Sequence, residues 1–150
     1  MVATVIFSLG LGGLSILLLT SVHGTIEAHN ETTAAMHAAS LAELILMNPA
    51  TTGHYINRPA DHPADCLSPD GCSGVSWAAG NFARWQRELE KNLAHARGLV
   101  CLDSTPNDGY SAEPACDESG PVVVKVFWNE PHHRDEESGG HRFISLPLPE

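Results

Sequence analysis

The hydrophobic pattern divides the chain into an apolar run, an amphipathic stretch and a mixed remainder. Residues 1–22 are apolar or small throughout, and residues 1–26 contain no Asp, Glu, Lys or Arg. A run of that length is sufficient to cross a bilayer's hydrocarbon core as a helix. From Thr25 to Met47 the residues still suit a helix, but the pattern becomes one-sided. Ala34, Ala38, Leu41 and Ile45 recur at helical spacing, with Ala42 and Leu46 beside them, while Glu27, Glu31 and Glu43 fall elsewhere on the circumference. No proline precedes Pro49, and Asn48-Pro49 forms a stop. The pattern predicts one helix of roughly 45 residues, about 70 Å long at 1.5 Å per residue. Its first half belongs in lipid or among other apolar helices. Its second half lays one face on a folded head.

The remainder reads as α+β. Residues 50–76 are rich in Pro, Asp, Gly and Ser and read as a loop region. A second helix is predicted over 76–97, with Trp77, Trp85, Leu89 and Leu93 on its buried side, Phe82 near the edge and Gly98 as C-cap. Residues 99–102 form a short strand candidate, and 105–120 a turn-rich excursion. The run VVVKVFW at 122–128 is the clearest strand. A polar loop at 131–140 then leads to a final strand over 141–146, antiparallel to it and stopped by Pro147 and Pro149. The predicted fold is a long N-terminal helix packed on a small antiparallel sheet of three or four strands, plus a shorter helix. The division is 1–24 as the membrane or filament-core half-helix and 25–150 as the globular head.

The net charge of −10 lies entirely beyond residue 26. It offers phosphates no basic patch, which argues against nucleic acid. Arg84 and Arg87, the one close basic pair on a helix, share it with Glu88 and Glu90 and read as a solvated face.

Cys66, Cys72, Cys101 and Cys116 suit disulfides in an oxidising compartment. Three pairings are possible; the most local set, Cys66–Cys72 with Cys101–Cys116, is preferred. Neither pair has the CxxC spacing of a zinc site.

Chemical motifs are sparse. His132, His133 and His141, near Asp135 and Glu136, are weak metal candidates, and His54, Asp61, His62 and Asp65 form a second weak group. There is no Gly-x-Ser-x-Gly elbow, Walker loop or GxGxxG. No catalytic or cofactor-binding residue is assigned. His23 reads as interfacial. Ser8 and Gly12 form a small-xxx-small pair that lets another helix approach, and Leu17 lies further along the apolar run. Glycines 10, 12 and 13 offer a place for the helix to stretch or unwind instead. The apolar run has no basic n-region and exceeds a usual signal-peptide core, so the expectation is a retained helix.

In order along the chain, MVATVIFSLGLGGLSILLL, AASLAELILMNP, the Cys66/Cys72 pair, a helix carrying Trp85 and a valine-rich strand ending in Trp128 resemble the type IV pilin-like proteins. They resemble most the minor pilin PilV, or type IV pilus modification, group. The family's leader, ending in Gly, and the Glu that follows it would fall upstream of Met1. The resemblance implies a non-enzymatic subunit held in the inner membrane with a periplasmic head. It would take part in priming assembly, then enter the extracellular filament near its tip. Its partners would be other minor pilins and the major pilin, contacted through the N-terminal helix. The alternatives are a minor pseudopilin of type II secretion and a membrane-anchored periplasmic metal-binding protein. An enzyme on an anchor ranks below these.

Overall fold

The computed structural model describes residues 2–58, 73–130 and 141–149, with the backbone alone at residues 2, 4–6 and 8–11. Among the described residues the order is a long helix, a short 3-10 turn, a second helix and three strands. The chain divides into two compact units, residues 1–32 and 33–150.

Helix α1 runs Val2–Leu46, 45 residues, matching the predicted span. It ends where Asn48-Pro49 predicts: Met47 N–H donates to Glu43 O (2.9 Å), and Pro49 opens the 3-10 turn Pro49–His54. That turn lies within what the sequence suggests is loop. Pro at its first position has no N–H to leave unsatisfied.

In the second unit, Ala34, Ala38, Leu41, Ala42 and Ile45 of α1 are buried in the main hydrophobic cluster, as their spacing predicts. Leu46 departs from the expectation and is 43% exposed. Helix α2, Gly74–Asn92, contributes Ala78, Phe82, Trp85 and Leu89. Its N-cap is Ser73, whose Oγ accepts from Ser76 N–H (3.3 Å).

Four expectations for α2 fail. It stops at Asn92 rather than Arg97, because Leu93 is already extended and the chain turns toward the sheet. Trp77 lies outside the core, while Phe82, expected near the edge, is fully inside it. Gly98 is not a C-cap but a residue of strand β1.

The sheet is three-stranded and antiparallel, in the order β1 (Arg97–Leu102), β2 (Val122–Asn129), β3 (His141–Pro147). Val126 pairs with Gly98 and Ile144, and Lys125 with Leu99 and Ser145. The expected pairing of the last two strands is therefore present.

Alternation along β2 assigns its two faces. Val124, Val126 and Trp128 join the cluster with both helices. Val123, Lys125 and Phe127 point to the opposite face, yet they too are fully buried. A strand covered on both sides reads as a continuous apolar run rather than an alternating one. That is why VVVKVFW lacks a polar side, and its one lysine marks what lies over the second face.

Candidate functional site

Two features stand out, one in each unit: the bare apolar surface of the helix in the first, and a braced loop over the sheet in the second.

The loop is the excursion 103–120. Its ends are drawn together by Asp103 N–H to Pro121 O (3.2 Å) and Glu118 N–H to Leu102 O (3.2 Å). The Cys101–Cys116 disulfide ties it to β1, as the local pairing predicts. From beneath, the Lys125 ammonium is ion-paired with Asp103, both side chains fully buried, and donates to Pro114 O (2.8 Å) and Asp108 O (3.1 Å). Ser145 Oγ donates to Asn107 Oδ1 (2.9 Å), and Arg97 Nη1 to Ser111 O (2.6 Å). Three strands thus hold one loop across the face opposite the helices. A buried ammonium is costly to desolvate, and here it is matched by the Asp103 carboxylate, the more exposed Asp108 carboxylate (3.4 Å) and two carbonyls.

Ser104 and Asp117 lock the loop's base. The Asp117 carboxylate accepts from Ser104 Oγ and from the backbone N–H groups of Ser104 (3.1 Å) and Ser119 (3.0 Å). These bonds, the Ser104 hydroxyl first, lower the Asp117 pKa to about 2.

Cys101, Asp103 and Cys116 bring three potential metal ligands within 4.8 Å of one another. The two sulfurs are bonded to each other and Asp103 is paired with Lys125, so the set is committed to structure. His141 lies at the start of β3. His132, His133, Asp135 and Glu136 lie outside the described residues, as do Asp61, His62, Asp65 and the Cys66–Cys72 pair. His54 ends the 3-10 turn.

Between α1 and α2 a groove of about 440 Å³ is lined by His37, Ser40, Arg84, Trp85, Glu88 and Asn92, among others. Trp85 Nε1 donates to His37 O (2.8 Å), clamping the two helices. His37 Nε2 lies 3.3 Å from Asn92 Nδ2. Burial lowers the His37 pKa, and the charge of Glu88 opposes that shift. Among the described residues no hydrogen bond joins Ser40 to His37.

In the first unit, Leu14, Ile16, Leu17, Leu18, Leu19, Val22 and Ile26 are all exposed. A β-carbon at Gly12 or Gly13 would meet nothing within 4 Å. Of the predicted packing residues, Gly12 and Leu17 therefore lie on open surface, and Ser8 is outside the described side chains. Among the described residues no helix is long and apolar enough to cross a membrane. The predicted span of residues 1–22 falls partly outside them.

No known protein family, curated protein or solved structure matches this chain. The sequence signals for the disulfide and the strands are evident. The sequence signal for the braced loop is the lone Lys125 in a run of valines.

Proposed function

We propose that this chain is a non-enzymatic, pilin-like subunit of the minor pilin PilV class. In this reading it is anchored in the inner membrane by its N-terminal helix and takes part in priming pilus assembly. It then enters the filament through the same helix, with other minor pilins and the major pilin as neighbours.

The observation that carries the reading is the all-round exposure of the apolar stretch. Leu17, Leu18 and Leu19 are 66%, 67% and 59% exposed. Consecutive helical residues point about 100° apart, so together with Ile16, 64% exposed, these residues span about 300° of the circumference. A helix apolar on every side belongs in lipid or inside a bundle, not on a single protein face. Exchange between those two settings has little net transfer cost, because both are apolar. Gly12 and Gly13 leave room for a second helix to come close.

The test is assembly in cells that carry pilus machinery, read as recovery of the chain in sheared filaments. Leu17→Asp and Gly12→Leu are expected to abolish recovery, while alanine at His132, His133 and His141 leaves it unchanged. Recovery of the Leu17→Asp chain at the wild-type level overturns the reading.

A further inference from the structure

Beside the braced loop lies a recess of about 550 Å³. That is within the range of about 300–1,000 Å³ usual for small-molecule sites. Arg58 and Arg97 both line it. In a chain with 18 acidic and 8 basic residues, two guanidinium groups in one recess are expected to find carboxylates. Among the described residues neither forms an ion pair. Each is held instead by a neutral carbonyl: Arg58 Nη1 donates to Val75 O (3.3 Å), and Arg97 Nη1 to Ser111 O (2.6 Å). These contacts orient the cations, among the described residues no carboxylate pairs with them, and each guanidinium keeps further N–H donors.

The rest of the lining includes apolar groups on braced backbone. These are Leu99, Pro114 and Ala115. Pro114 O accepts from the buried Lys125 ammonium, and neighbouring Cys116 is tied to Cys101. A wall braced this way loses little freedom when a ligand arrives. Glu113 also lines the recess, with its carboxylate engaged by the Tyr110 hydroxyl (2.8 Å). One fixed negative charge beside two positive ones favours a singly charged anion over phosphate.

We propose that this recess is a carboxylate site. It takes an organic monocarboxylate, whose oxygens meet Arg58 and Arg97 and whose short apolar body lies against Leu99, Pro114 and Ala115. The proposal is independent of the pilus reading. A free carboxylic acid and the carboxyl terminus of a peptide share this chemistry.

The test is an NMR titration of the full-length chain in detergent micelles, following the Arg58 and Arg97 side-chain N–H signals and the Leu99 and Ala115 amides. The probes are N-acetyl-leucine, its methyl ester, inorganic phosphate and a tetrapeptide ending in a free leucine carboxylate. Saturable shifts are expected with the acid or the peptide, and the tighter of the two identifies the source. The ester and phosphate should bind at least about tenfold more weakly, the scale of one charge-assisted hydrogen-bond pair. Arg58→Gln should weaken the acid by about tenfold while leaving amide signals remote from the recess unmoved. Arg97→Gln serves as a second, independent variant. Absence of saturable shifts, equal binding of ester and acid, preference for phosphate, or full binding by both variants overturns the proposal.

Discussion

The indole of Trp85 packs so closely on Gly98 that a β-carbon there would overlap ring atoms Cη2 and Cζ3. The contact joins α2 to β1. The same ring donates its N–H to His37 O of α1 (2.8 Å), and Gly98 N–H donates to Gln86 Oε1 (2.9 Å). One tryptophan thus meets both helices and the sheet. Gly98 is required for close approach, not for a turn.

Gly98→Ala should therefore destabilise the head by about 1–3 kcal/mol, the usual cost of forcing atoms into a packed core. Chemical denaturation followed by tryptophan fluorescence measures it. A midpoint equal to wild type would show that the ring moves aside freely.

Lys125→Met should cost about 3–5 kcal/mol, because it leaves the Asp103 carboxylate buried without its cation. Adding Asp103→Leu should recover most of that loss, since apolar replacement of a buried pair is often neutral. If the two changes are additive in a double-mutant cycle, the ion pair is not what holds the loop down.

Replacing Cys101 and Cys116 together with alanine should cost roughly 3 kcal/mol, as expected for a cross-link closing a loop of about 15 residues. Limited proteolysis should then cut within 103–120 first. Cleavage at wild-type rates would mean that Lys125 suffices to fix the loop.

Asp117 sets an acid dependence. Its folded pKa is lowered from 3.8 to about 2, so the folded state holds the charged form more strongly than the unfolded chain does. The resulting stabilisation is complete above pH 3.8 and is lost as pH falls toward about 2. Unfolding midpoints measured across that window should fall more steeply for wild type than for Asp117→Asn. Parallel curves would remove Asp117 from the account.

Legibility followed the range of the interactions. The α1 core face could be read because Ala34, Ala38, Leu41 and Ile45 sit on one helix and share one burial. The end of α2 could not. Residues 93–97 hold no Gly or Pro to stop a helix, and Leu93 turns extended to enter the sheet. Trp77 and Phe82 exchanged their expected places because periodicity gives the angle between residues, not which angle faces the core. The Arg58–Arg97 recess unites residues 39 positions apart and left no local trace.

By itself the sequence determined the elements whose causes are local, the continuous helix up to Asn48-Pro49 and the antiparallel pairing of the last two strands, and it favoured the short Cys101–Cys116 link among three pairings. Each rests on spacing, a stop residue or proximity along the chain. Tertiary structure alone decided that residues 103–120 cover the second face of the sheet, that Lys125 anchors them from below, and that Gly98 makes room for Trp85. Those outcomes depend on which surfaces meet, and side chains distant in sequence set that.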